Sequence, residues 1–252
     1  MKKIFKILFS LILIVALFYI FLLYYSQQEY KVDYGISFNK QHSESLGLNW
    51  QDNFQAMLDD LKPKYLRFSA TWKEVATTSD EYDFTDIDWQ MNQAIAKGTK
   101  VTLVVGQKAP RWPECHTPDW VEGMSEEEYK IKLLNYVQTV IERYKDNPAL
   151  DVWQVENEAF IKFRFGECNN FRKDLVYDEI NLVKQIDPNH KIMITDSGEL
   201  STWQDATKVG DIFGSTLYRV VMTPSGGYWN YDWLPAGFYK LKAQFWGVDL
   251  NN

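Results

Sequence analysis

From about residue 33 onward the chain alternates between two periodicities. Short runs of β-branched and aromatic residues recur, and after each the apolar positions return every three or four residues. Residues 34–38 read as a first strand. Phe54, Met57, Leu58 and Leu61 then mark a helix that Pro63 closes. Residues 65–69 form a second strand, and Ile87, Met91, Ala94 and Ile95 a second helix stopped by Gly98. Residues 101–105 are almost wholly apolar, as expected of a strand covered on both faces. A long loop rich in Pro and Trp follows, over 106–124. Ser125 with Glu128 then forms a capping box opening a helix that carries Tyr129, Leu133, Tyr136, Val137, Val140, Ile141 and Tyr144. The fourth strand, Val152, Trp153 and Val155 within it, runs to Glu158. Leu175, Val176, Ile180, Val183 and Ile186 mark the next helix, ended at Asp187-Pro188, and 192–195 are strand five. A short helix lies near 203–209, strand six within 211–221, a Trp/Gly/Pro loop over 224–235, and a last helix over 236–246.

About six βα units in succession imply a parallel sheet, because parallel strands need crossover connections. A (β/α)8 barrel and an open doubly wound sheet compete. No GxGxxG or GxxxxGK[ST] loop follows the first strand, and the long loops all follow strands, which is the TIM-barrel pattern. On that reading the barrel is incomplete at about six units.

The N-terminus has a different pattern. Lys2, Lys3 and Lys6 precede an apolar run over 7–25, broken only by Ser10. About 19 residues suffice to cross a bilayer core of roughly 30 Å. The expected organisation is a basic cytoplasmic tip at 1–6, a transmembrane signal anchor at 7–25, a linker at 26–32 and one domain over 33–252. Basic residues ahead of the span place that domain outside the cytoplasm. Removal of the segment as a signal peptide, giving a secreted protein, is the competing reading.

Composition narrows the chemistry. The net charge is −7, which argues against nucleic acid as a partner. The three histidines, His42, His116 and His190, lack any tight metal spacing, so no metal and no cofactor is expected. There is no GxSxG elbow. Cys115 and Cys168 form no CxxC pair; outside the cytoplasm they could close one disulfide, two separate core thiols being the alternative. What remains is carboxylates among aromatics: 16% of the chain is Phe, Tyr or Trp, ten of them Trp. Paired carboxylates with aromatic walls are the apparatus of glycosidic bond cleavage.

The stretch Trp153-Gln154-Val155-Glu156-Asn157-Glu158 resembles the end of strand four in the retaining glycoside hydrolases of the large (β/α)8 clan that includes cellulases, β-galactosidases and β-xylosidases. Leu66-Arg67 with Trp72, the stretch Tyr82-Asp83-Phe84, and Pro110-Arg111-Trp112 resemble further motifs of that clan. The resemblance spans roughly 33–246. It implies that Glu158 is the acid/base, that Asn157 bonds a sugar 2-hydroxyl, that Arg67 sits beside the nucleophile and that Tyr218, at the end of strand six, hydrogen-bonds the nucleophile. Trp72, Trp112, His42 and Trp229 are the candidate substrate contacts. Glu156, on the same face as Glu158 by strand alternation, would tune it by like-charge repulsion. The clan's nucleophile is a glutamate ending strand seven, and this chain offers none at such a position; Asp232 and Asp249 fall in a loop and a tail. The expectation is a membrane-anchored retaining glycosidase domain truncated before strand seven, weak or inactive as it stands. The alternatives are a non-catalytic carbohydrate-binding or scaffold protein, and a barrel completed by a second polypeptide.

Overall fold

The computed structural model describes residues 2–161, 166, 168, 171–223 and 226–250, in two compact units. One unit is Asp33–Thr216; the other joins Met1–Val32 to Leu217–Asn252.

In the second of these, α1 (Lys2–Ser26) is long and apolar enough to cross a membrane. Within the Asp33–Thr216 unit, β1 (Gly35–Ser37) is followed by α2 (Lys40–Ser45), a short helix that the apolar pattern does not announce. It forms because Asn39 caps it, the side chain accepting from the His42 amide at 2.7 Å. Then come α3 (Trp50–Leu61), β2 (Tyr65–Ser69), α4 (Trp72–Val75), α5 (Thr85–Lys97) and β3 (Lys100–Val105). α6 (Glu126–Tyr144) opens on the expected Ser125/Glu128 capping box. β4 (Leu150–Val155), α7 (Lys173–Ile186), β5 (Lys191–Ser197), α8 (Ala206–Val209) and β6 (Ile212–Thr216) complete the unit.

The six strands pair in the order β1-β2-β3-β4-β5-β6, all parallel. A doubly wound sheet would reverse direction at a switch point; a monotonic order is that of a (β/α)8 barrel. The sequence reading of the fold therefore stands, with six consecutive βα units of that architecture. The core lies between sheet and helices. Phe54, Leu58, Leu66, Met91, Leu103, Leu133, Ile141 and Trp153 are all essentially inaccessible. Trp153 can be buried whole because its indole N–H finds Asp187 at 2.8 Å, in the turn after α7.

Trp72 is not a wall for a sugar. It is fully buried, stacked on Tyr136 at 5.8 Å between ring centroids and met edge-on by Trp120 and Tyr129. Its place at the start of α4 turns the ring inward.

The sequence beyond 216 also differs from expectation. Strand six ends at Thr216. A hairpin follows, β7 (Val220–Met222), which overlaps the end of the range read as strand six, paired antiparallel with β8 (Tyr228–Asn230) in the stretch read as a loop. Its turn closes through Thr223 N–H on the Gly227 carbonyl at 2.8 Å; Pro224, within that loop, lies outside the described residues. α9 (Ala236–Phe245) packs on α1 in the same unit, with Gly237 so close to the Leu22 carbonyl that a Cβ there would sit 2.3 Å from it.

Candidate active site

The chemistry-bearing residues gather where the strands of the Asp33–Thr216 unit end. β4 stops at Val155, three residues short of the expected Glu158, because the backbone turns left-handed at Glu156 (φ 59°) and again at Glu158 (φ 48°). Left-handed conformations cost a non-glycine residue about 1–2 kcal/mol. Six non-glycine residues among those described carry them, and four lie in the loops after β3 and β4: Arg111, Glu114, Glu156 and Glu158. Strain concentrated in this way is a mark of a functional site.

The turn sends the two glutamates different ways, so strand alternation does not apply. Glu156 points back under β3. Its carboxylate accepts the Gln107 amide at 2.7 Å and the Lys108 amide. Gly106 (φ 108°) leaves the space, since a Cβ there would lie 2.7 Å from the Glu156 carboxyl. Glu179, on α7, meets Glu156 in the same dry interior. Burial raises the proton affinity of both carboxyls, Glu179 well above the usual carboxylate range because Glu156 is also beside it. Both Glu179 oxygens are buried with no donor among the described residues. A proton held by the pair supplies the missing hydrogen bond, and the two backbone amides mark Glu156 as the better bearer of the charge.

Glu158 is 5% exposed. Its amide donates to Thr195 Oγ1 at 3.1 Å on β5, and its carbonyl accepts Lys108 Nζ at 3.1 Å. Its carboxylate accepts the hydroxyl of Thr216 at the end of β6. Burial raises its pKa, Asp196 and Glu199 add to the rise, and Thr216 and Lys108 oppose it. Glu156 is not the tuning charge that strand alternation suggests. Asn157, between them, accepts from Arg67 Nη2 at 2.9 Å, which joins β2 to the β4 turn. A buried carboxyl with raised proton affinity, beside an amide held by a guanidinium, is suited to donate a proton and to orient a polar ligand.

The loop after β3 brings in a residue that sequence reasoning missed. Glu114 is 8% exposed, beside Asn157 and Glu158. Burial pushes its pKa up to about 7; Lys108 works against the rise and Glu158 adds to it. The loop folds on itself through a bridge between Lys108 and Cys115, and the Cys115–Cys168 disulfide ties it to the loop after β4. Of the two readings left open for the cysteines, the structure has the disulfide, and Glu114 is the neighbour of one of them. That adjacency was the available signal; nothing in the local pattern showed that the side chain turns inward. Lys108, 2% exposed, and Thr216 were equally unannounced.

Of the other candidates, Trp112 is 65% exposed on the loop after β3, and His42, on α2, lines a pocket together with Arg67. Tyr218 lies two residues beyond β6 and Trp229 on β8; both belong to the other unit. His190 is half-buried, its Nδ1 2.7 Å from Asp187, and is a structural residue of the turn before β5.

Comparison with known proteins agrees with the barrel fold and the family resemblance. The model of "Glycosyl hydrolase family 10" matches residues 32–209. Mannan endo-1,4-beta-mannosidase F of Aspergillus fumigatus is 31% identical over 123 residues, covering 46% of this chain and 25% of the relative. A probable mannan endo-1,4-beta-mannosidase F of Neosartorya fischeri is 30% identical over 123 residues, covering 46% and 24%. The chain spans about a quarter of the length of these curated relatives. Among solved structures, a GH5_18 protein from Streptomyces cattleya in complex with GlcNAc superposes with a TM-score of 0.58 at 11% identity, covering 76% of this chain and 52% of that one. A β-galactosidase from Marinomonas ef1 gives 0.54 at 13% identity, covering 75% and 41%. At such identities the structural likeness bears on the fold alone.

Proposed function

The chain belongs to glycosyl hydrolase family 10, and from that premise we propose that it carries the acid/base half of a retaining glycosidase site, with Glu158 protonating the glycosidic oxygen. The observation that carries this reading is the setting of Glu158: buried, raised in proton affinity, and adjacent to an asparagine held by Arg67. Burial favours the protonated carboxyl, the form that can donate to a leaving oxygen. Asn157 then bonds the sugar 2-hydroxyl, and Arg67 both holds Asn157 and supplies positive charge to a neighbouring carboxylate. Substrate is a β-linked poly- or oligosaccharide, and the exposed Trp112 offers it an aromatic face. His42 is a further contact on this reading. No residue of this chain is assigned as the nucleophile; a further barrel segment or a second polypeptide would supply it. We read α1 as a single-pass anchor with Lys2, Lys3 and Lys6 inside and residues 33–252 outside the cytoplasm, or as a leader if it is removed.

The test is incubation of the full chain with xylo-, manno- and cello-oligosaccharides, following product anomers by proton NMR. With no nucleophile assigned, cleavage by this chain is expected to be slow and to be lost in Glu158→Gln. Cleavage that survives Glu158→Gln, or that runs at a normal enzymic rate with retention, sinks the assignment. Oligosaccharide binding without cleavage, lost in Trp112→Ala, would instead support a non-catalytic carbohydrate-binding protein.

A further inference from the structure

Beside Arg67, on the β1–β2 side of the Asp33–Thr216 unit, a pocket of about 180 Å³ opens. Two arginines, Arg67 and Arg111, are among its lining residues, with His42, Asn39 and Ser69. None of its lining residues is Asp or Glu, in a chain whose net charge is −7. The neighbouring pocket shares Asn39 and Ser69 but is the electrostatic opposite. It holds Glu74, Asp83 and Asp86 around Lys40, whose charge is already matched by Glu74 at 3.2 Å and Asp86 at 2.5 Å. Among the described residues no ion pair involves Arg111, and its side chain is exposed.

The position of Arg111 is built rather than incidental. Its backbone holds φ 90°, a conformation a residue with a Cβ adopts only when its surroundings impose it. Its carbonyl accepts the Glu114 amide at 2.9 Å. Next to it, the Pro110 carbonyl accepts Asn39 Nδ2 at 3.2 Å, so the residue that caps α2 also ties down the loop carrying Arg111. The pocket joins the candidate active site directly, since Arg67 donates to Asn157 at 2.9 Å. A guanidinium is a rigid fork matched to planar or tetrahedral oxyanions, and a cavity lined by two arginines and no carboxylate favours an anionic guest.

We propose that this pocket is a subsite for an acidic sugar residue, a uronate or comparably anionic unit of the glycan, with Arg111 as the residue that selects the charge. The proposal rests on the glycan reading above and deepens it, from a β-linked glycan to one bearing acidic residues.

The test uses full-length protein in detergent with methyl β-D-glucuronide, methyl β-D-glucoside and inorganic sulfate as probes, followed by NMR of the arginine Nε–H and His42 signals. The glucuronide is expected to bind roughly tenfold tighter than the glucoside at low salt, the range of a charge-assisted hydrogen bond. That advantage should shrink at 0.5 M NaCl (about a 4 Å screening length) and vanish in Arg111→Gln. Equal affinity for the two sugars overturns the proposal and leaves the glycan reading standing. Sulfate binding as tightly as the glucuronide, with no response to the glucoside, makes the pocket a free-anion site and overturns it too. No response to any probe overturns it as well; failure of neutral xylo- and manno-tetraose to bind would then take the glycan reading with it.

Discussion

Replacing Glu179 by glutamine should flatten the pH dependence of stability. Glu156 and Glu179 are neighbouring, fully buried carboxyls, and burial raises the proton affinity of both. Glu156 receives two backbone amides, and Glu179 receives no donor among the described residues. Two ionised carboxylates at about 4 Å would repel by about 4 kcal/mol even at an effective dielectric constant near 20. The folded chain therefore retains one proton on the pair at neutral pH, and that proton belongs to the pair rather than to one residue. In the unfolded chain both groups ionise near pH 4.3. A folded pKa raised above the unfolded value contributes stability that is complete below about pH 4.3 and is lost as pH rises. Between pH 5 and 7 the folded state holds one more proton than the unfolded state, so stability falls by about 1.4 kcal/mol per pH unit, about 3 kcal/mol in all. Glutamine at 179 offers Glu156 a permanent N–H donor with no proton to lose. Urea unfolding followed by tryptophan fluorescence at pH 5, 6 and 7 should show wild type losing about 3 kcal/mol relative to Glu179→Gln across that range. Other titrating groups are common to both proteins and cancel in the difference. Parallel curves for the two proteins would refute the shared proton.

Three further outcomes follow from the packing. Trp72→Ala should cost about 3–5 kcal/mol in the same unfolding assay, as a buried aromatic does, while glycan binding per folded molecule is unchanged; a loss of binding with stability intact would return Trp72 to the site. Gly106→Ala should cost about 2–5 kcal/mol, combining a left-handed penalty with a Cβ driven into the Glu156 carboxyl; a change under about 1 kcal/mol would mean that the carboxyl moves aside freely. Cys115→Ser should cost about 4 kcal/mol on chain-entropy grounds for a crosslink between residues 53 apart, and reductant should shift wild type by a similar amount without affecting the variant. A wild-type curve insensitive to reductant would contradict that expectation.

Much of the fold was legible because it depends on local pattern. Residues 101–105 are apolar on both faces, so that strand had to be covered from both sides, and β3 is. Ser125 and Glu128 satisfy each other's orphan amides within one turn, and α6 begins there. Asn157 and Glu158 could be placed at the end of strand four because the strand before them is unmistakable. The hairpin of β7 and β8 was not foreseen, since Trp, Gly and Pro punctuation signals turns without saying which flanks will pair. α2 was missed because its stability comes from the Asn39 cap and not from apolar spacing.

The sequence by itself therefore determined the element types, their parallel βα succession, the apolar N-terminal helix and the chemical kit of carboxylates, amide, guanidinium and aromatics. Only the tertiary structure decided what each member of the kit faces. Glu156 and Glu158 stand two apart, yet one caps the end of β3 beside Glu179 and the other meets Thr216, because the left-handed turns after Val155 cancel strand alternation. Glu114 lies 44 residues before Glu158 in sequence and comes beside it through a loop that a disulfide fastens. Trp72 and Trp112 are the same residue type, and packing from residues far along the chain buried the first and left the second in solvent. Periodicity is set by neighbours in sequence. Burial, proton affinity and pocket charge are set by neighbours in space, and those exist only once the chain has closed on itself.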